Sequence, residues 1–470
     1  MDDKLSQNDH ARIVERQVNS LDRSVVDELY RGVGSAAYDP IILLKMVLYQ
    51  YLKGRRSPAC WQEEARLNEA MQWLGRGYTP ARRTWYDFRD RVGAVIEDLH
   101  TQLVQQAIEQ EHLDPTTGAL DGSSIAACAS RHRMVNQETL AKRQQVLNDR
   151  IEGVVSDGAE IPKWVPPTHG GRQDLAARMK AAAEVLAGRI AKNAEKSGGK
   201  RKNPAKIQVS LTDPIAPLGR DKRKTFRPLY TIQTVVDPLS HLTISYACEA
   251  SATDAGMLAP MIDKTQQIVG GRLKSILADG GYCSILDLRD ARERGVELLA
   301  PVSSSGTSRK SKSRSGQDQI PREEFTFDTR QNCYTCPEGH SLHYKEREKK
   351  SRAGGRQLYQ FRYQCAAEFC SGCPLAERCL GGAGPRMIKR TEGEELLEHQ
   401  REKMADEQTK SRYTLRGQTV ERTFGDAKGN RRVDRFHGRG LARARSETGL
   451  LILAQNLLRL DKLQCNPVNT

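Results

Sequence analysis

Apolar and polar positions change their period several times along the chain, and the changes predict its elements. Near the start, three capping residues are each followed by proline, Asp39-Pro40, Ser57-Pro58 and Thr79-Pro80, and each pair suits the N-cap and first position of a helix. The stretch IILLKMVLYQYLKG after Pro40 is apolar around most of a helical circumference, which predicts a central buried helix. Its shortness and Lys45 argue against a membrane span. Residues 81–92, ARRTWYDFRDRV, mix arginines with Trp85, Tyr86 and Phe88, a composition that suits a solvated amphipathic helix and a DNA-reading helix about equally.

The period then shortens. GALDGSSIAA, residues 118–127, predicts a short strand, and a polar helical insertion follows over residues 131–205, leaving through the basic SGGKRKNPAK. FRPLYTIQTVVDP and HLTISYACEAS read as a hairpin around Pro-Leu-Ser. Next come a helix (DAGMLAPMIDKTQQIV), a buried strand (KSILADGGY), a helix (SILDLRDARERG) and a further strand (VELLAPV). Regular patterning breaks at the basic, low-complexity VSSSGTSRKSKSRSGQDQ and returns as helix near Glu392. From Ala444 to Leu463, Leu450, Leu453, Ala454 and Leu457 share one helical face, which predicts a closing helix packed on the core. The divisions drawn are a helical N-terminal domain over 1–110, a mixed α/β domain over 111–302, a cysteine-rich insert over 303–388 and the rest of the α/β domain over 389–470.

Composition narrows the function. The 470 residues carry a net charge of +15, which points to a polyanionic partner, nucleic acid first. No long apolar run occurs and the opening residues are polar, so a cytoplasmic protein without a membrane segment is expected. There the 11 cysteines would be reduced, and clustered ones would serve as metal ligands.

The positive charge is concentrated: between Lys410 and Arg445 stand eleven Lys or Arg and three Asp or Glu. Glu421 opens the most basic part of this run, VERTFGDAKGNRRVDRFHGRG, and a carboxylate in such company needs a reason. Asp121 on the first predicted strand and Asp279 at the end of KSILAD are its natural partners. Three hard oxygen ligands suit Mg²⁺ or Mn²⁺, and two such ions ~4 Å apart activate a water and stabilise the leaving oxygen of a phosphodiester. On a continuous helix Glu421 and Lys428 would share a face, with Phe424 between them and Gly429 as a C-cap.

Tyr413, Arg416, Glu421 and Lys428 resemble the Tyr-x-x-Arg…Glu-x6-Lys signature of bacterial insertion-sequence transposases with a DDE triad. ALDGSSIAA and ILADGGYCS are similar to the family's two aspartate strands, YDPIILLKMVLYQYLKGRRSPA and TWYDFRDRV to its N-terminal domain, and ETGLLILAQNLLRL to its last helix. Here four residues separate Arg416 from Glu421, one more than is common, which turns the arginine by roughly 100° around a helix. The resemblance implies an RNase H-like mixed sheet flanked by helices, in agreement with the strand and hairpin order. It also implies that the N-terminal domain over 1–110 binds DNA, together with binding of element ends and target DNA, metal-dependent cleavage and strand transfer, a homodimer or larger assembly on DNA, and a place on the nucleoid. By the same resemblance Asp121, Asp279 and Glu421 hold two Mg²⁺ or Mn²⁺ ions, while Tyr413, Arg416, Lys428, Arg431 and Arg432 meet DNA. The competing expectation is a catalytically silent DNA-binding protein descended from a transposase.

The insert holds CYTCPEGH and CAAEFCSGCPLAERC, whose paired Cys-x-x-Cys spacings suit structural Zn²⁺. Beyond the pairs Cys333/Cys336 and Cys370/Cys373, the extra Cys365, Cys379 and His340 leave the ligand set open from spacing alone. Inserts in similar transposases imply Cys336, Cys370, Cys373 and Cys379, with Cys333 the first substitute. The surrounding Lys, Arg, Glu and Gly predict that this block lacks an apolar core.

Overall fold

The computed structural model describes residues 5–30, 38–154, 161–196, 199, 201–221, 224–302, 312–351 and 355–465. The chain divides into two compact units, one made of residues 1–254, 261–276 and 415–470, the other of 255–260 and 277–414.

The first unit opens with helices. In Pro40–Leu52 every residue is buried, and the Asp39 carboxylate caps it by accepting from Ile41 N at 2.9 Å. Lys45 is buried too, and pays its desolvation through Glu15 at 2.9 Å and Asn19. Pro58–Leu67 begins where its proline predicts, but Thr79-Pro80 does not cap the next helix. Ala81 is extended, with ψ of 155°, so that helix starts only at Arg82 and ends at Val92. It buries Trp85, Phe88 and Val92, and Trp85 meets Trp61 edge-on with centroids 6.0 Å apart.

The strand Thr117–Ala126 lies antiparallel to Phe226–Val236, with Asp121 opposite Thr234. Along its other edge, Phe226–Val236 pairs first with Leu218–Arg220 and then with Thr243–Glu249. The hairpin turn is held by the Asp237 carboxylate, which accepts from the Leu239 and Ser240 amides. Lys274 N and Ser275 N donate to Thr116 O, which sets Ser275–Leu277 beside the first strand. This mixed, helix-flanked sheet is RNase H-like.

The insertion forms two helices, Gln137–Glu152 and His169–Ala194, around a core that includes Leu140, Leu147, Met179 and Leu186. Gly153, with φ of 74°, ends the first by a left-handed cap that other residues adopt at a cost. The closing helix Leu441–Cys465 buries Leu450, Leu453, Ala454 and Leu457 as its pattern predicts.

In the second unit, Ala278 N donates to Leu299 O at 3.0 Å, which sets the strand Glu297–Leu299 beside the segment that follows Leu277. Of the basic low-complexity stretch, residues 303–311 lie outside the described residues. The cysteine-rich block is a five-stranded antiparallel sheet, ordered Met387–Thr391, Gln357–Cys365, Ser341–Ser351, Cys333–Thr335 and Thr326–Asp328. One of its faces buries Phe325, Tyr334, Leu342, Tyr363 and Ile388. This corrects the expectation that the block has no apolar core. Its strand-borne apolar residues lie singly, one or two to a strand, on one face of each, so the average composition hid them. Among the described residues no helix is long and apolar enough to cross a membrane.

Candidate active site

Side chains alternate along a strand, so Asp121 and Ser123 leave the first strand on the same face. Asp121 stands in mid-strand, not in a turn. The helix Glu407–Gly425 lies over that face, and its contacts come from the segment beginning at Leu415. Thr419 and Val420 are fully buried, and Phe424 nearly so. Arg416 Nη2 reaches Asp121 Oδ1 at 3.0 Å, and Lys428 Nζ reaches Ser123 Oγ at 2.6 Å.

Residues 416 and 428 would be ~18 Å apart along an ideal helix, whereas strand residues 121 and 123 are only ~7 Å apart. The two long side chains therefore slant toward a common patch of strand. Glu421, between them in sequence, is exposed. Arg416 therefore faces the sheet, while Glu421 faces solvent.

The helix does not run on regularly to Lys428. Residues Asp426–Asn430 form a π turn, and Gly429 lies inside it, which corrects its assignment as a C-cap. Asp426 holds the turn by accepting from Asn430 Nδ2 at 2.9 Å, Gln455 Nε2 at 2.7 Å and Arg431 Nε. Burial alone would raise this carboxyl. Hydrogen bonds from Gln455 and Asn430 and the charge of Arg431 outweigh it and hold Asp426 below its ordinary value.

Arg431 is buried and also donates to Leu52 O at 2.6 Å, so in this structure it ties the turn to the N-terminal helices. Arg432 is exposed, with φ of 54°. The backbones come close here: a Cβ on Gly54, whose φ is 72°, would stand 3.2 Å from Arg431 O. Arg56 adds to the tie by donating to the carbonyls of Arg432 and Arg435, both at 3.0 Å. Glu447 faces Arg56 at 3.3 Å and accepts from the His437 and Gly438 amides. Sequence reading missed Arg56, Asp426 and Glu447. Only the i,i+4 and i,i+5 spacing of Asp426 to Asn430 and Arg431 signals any of them.

Asp279 belongs to the second unit, two residues beyond the end of its strand. It caps the turn Gly280–Tyr282 by accepting from Gly281 N at 2.7 Å. A Cβ at Gly281 would stand 2.8 Å from Asp279 Oδ1 and would push this cap aside. Tyr413 is half-buried, also in the second unit.

Among the described residues no three His, Cys, Asp or Glu side chains stand ready to hold a metal ion. The carboxylate oxygens of Asp121, Asp279 and Glu421 fit a hard divalent cation by donor chemistry, though Asp121 is engaged by Arg416.

In the cysteine block, Cys336 Sγ accepts from His340 N at 3.3 Å in a tight turn closed by Gly339. Burial, and then the adjoining Cys370 thiol, push the Cys365 thiol up to about 12. Cys379 is raised by burial first, with Cys370, Cys373 and Cys336 adding to it and Arg386 opposing. Cys365 and Cys379 thus both stand within electrostatic reach of Cys336 and Cys370. Cys333 is buried on the face of its strand opposite Tyr334, away from the side that holds Cys365, Cys370 and Cys379. Thiol donors suit Zn²⁺, and Cys365 packs in the same cluster as Cys336, Cys370 and Cys379, to which Cys333 does not belong.

Two segments match known family models. Residues 335–461 match the one described as transposase DDE domain, and residues 1–91 the one described as transposase domain DUF772. No curated protein matches the chain.

Proposed function

Because these two segments indicate an insertion-sequence transposase of the DDE class, we propose that the protein cuts DNA at the ends of its element and joins the freed 3′-hydroxyl to target DNA, using Asp121, Asp279 and Glu421. The observation that carries this reading is the helix laid across the first-aspartate strand, with Arg416 on Asp121 and Lys428 on Ser123. An acidic residue so flanked is suited to a reaction in which phosphate is drawn in by cations and attacked beside carboxylates.

Asp121, Asp279 and Glu421 would hold Mg²⁺ or Mn²⁺, and such ions supply an activated nucleophile and charge stabilisation at the leaving oxygen. Arg416 orients the Asp121 carboxylate until a phosphate competes for the guanidinium. Lys428, fixed on Ser123 by the π turn, offers a point charge to the DNA backbone. Tyr413 and the exposed Arg432 would contact the DNA end, while Arg431 acts through the position of the turn. In the insert, Cys336, Cys370, Cys373 and Cys379 would hold a structural Zn²⁺, with Cys365 as the nearest alternative. The active form would be a homodimer or larger assembly on paired ends.

The test uses the purified full chain, a duplex carrying the DNA that flanks its gene, and Mg²⁺. Wild-type protein should nick that duplex and join it to a target plasmid, and Glu421→Gln should bind with unchanged affinity and cut nothing. Wild-type protein that binds the ends and never cuts would establish the catalytically silent alternative.

A further inference from the structure

A second charged feature lies wholly within the first unit. The helix Arg82–Val92 and the segment 437–443 border an open cleft of about 750 Å³. Arg82, Arg83 and Arg89 line one wall, Arg439 and Arg443 the other, and Asp87 and Asp90 are the only carboxylates lining it.

The carboxylates do not cancel the cations. Asp90 is shared, taking Arg89 at 2.7 Å and Arg443 at 2.8 Å, so that it braces the two walls together. Arg83 pairs with Asp87 at 2.9 Å, yet 87% of its side chain is open to solvent. Arg439 is exposed as well. Tyr86 is flanked by Arg82 and Arg89, with guanidinium carbons 5.7 and 5.1 Å from the ring centre. Guanidinium forks interleaved with an aromatic ring make a surface for phosphate, not for an apolar ligand.

Two further observations choose the ligand. The walls come from different matched segments, residues 1–91 and 335–461, and the wall at 437–438 is held by the buried Glu447 carboxylate. The cleft is therefore preformed. Its floor includes Cys128, two residues past the strand that carries Asp121. Seven extended residues span at most ~23 Å, the rise of about seven base pairs at ~3.4 Å each.

We propose that this cleft is a second DNA-backbone site, which grips duplex phosphates several base pairs from the reacting one. The proposal rests on the reading of the protein as one that acts on DNA. The cleft sets where the duplex lies, and the carboxylates act on it elsewhere.

The double variant Arg83→Ala/Arg439→Ala tests it against a duplex of flanking DNA, by fluorescence anisotropy at several salt concentrations without divalent metal. Both positions are exposed, and circular dichroism should confirm a wild-type fold. Affinity should fall about 10- to 100-fold, and the plot of log affinity against log salt should flatten by about two contacts' worth. The control Lys180→Ala, exposed on the helical insertion, should change neither. A double variant with wild-type affinity and slope, an equal loss in the control, or equal loss for RNA duplex and DNA duplex in a chain that prefers RNA would each overturn the proposal. Its failure is distinct from failure of the active-site reading: wild-type protein that binds through the cleft and never cuts sinks only the latter.

Discussion

Replacing Glu447 by alanine should loosen the segment that follows the π turn while leaving the closing helix intact. The Glu447 side chain is 2% exposed and that of Arg56 3%. Burial raises the Glu447 carboxyl above its ordinary value, with the His437 and Gly438 amides and the Arg56 charge opposing. The intact pair therefore contributes little net stability, but removing one member strands the other. Glu447→Ala leaves a buried guanidinium without its counter-charge and two amides without an acceptor. Breaking such a pair costs about 3–5 kcal/mol. At ~1.4 kcal/mol per tenfold, amide exchange across 431–440 should quicken by roughly two to three and a half orders of magnitude. Glu447→Gln keeps the shape and an acceptor and should cost only about 1–2 kcal/mol. Hydrogen-exchange mass spectrometry reads both variants directly. Exchange within ~3-fold of wild type in Glu447→Ala would refute the account of how this segment is held.

Three other outcomes follow from the packing. Burial pushes His100 down to about 4 from 6.5, against the Thr243 carbonyl it contacts. Its folded value lies below its unfolded one, so the associated stability is present above about 6.5 and is lost as pH falls toward about 4. The loss is about 3 kcal/mol at most, and His100→Gln should flatten that part of a melting-temperature profile. Gly449→Ala should destabilise by about 1–3 kcal/mol despite alanine's helix preference, because its Cβ would stand 2.5 Å from Tyr246 Oη and 2.7 Å from Ile96 Cγ2; a raised melting temperature would show that the closing helix yields freely. If the insert holds zinc, a chromogenic assay of released metal should find it largely lost from Cys370→Ser and kept in Cys333→Ser. The reverse result would place the ligands on the other face of the sheet.

The elements with a clean period were legible in advance. Asp39-Pro40, the hairpin at Asp237, the first strand and the closing helix each announce themselves within a dozen residues, because caps, turns and alternation are local physics. The Thr79-Pro80 start failed because an extended Ala81 intervenes, a backbone choice made by packing. The core of the cysteine block was hidden for another reason: its apolar residues are spread singly, one or two to a strand, over five strands. At the candidate site, placing Asp121 and Glu421 on strand and helix was possible from pattern and resemblance. The Arg416–Asp121 pair, the π turn and the Arg56–Glu447 pair were not, since each joins residues set by tertiary approach or departs from the helical repeat that pattern reading assumes.

The close approach of Gly54 to Arg431 bears on how this protein can be cut apart or recombined. The leading helices form a footing under the loop that carries the basic cluster, so they are not an interchangeable reader joined by a tether. Chimeras that graft a foreign N-terminal module onto residues 415–470 would have to reproduce that backbone seam, glycine included, or forfeit the shape of the loop.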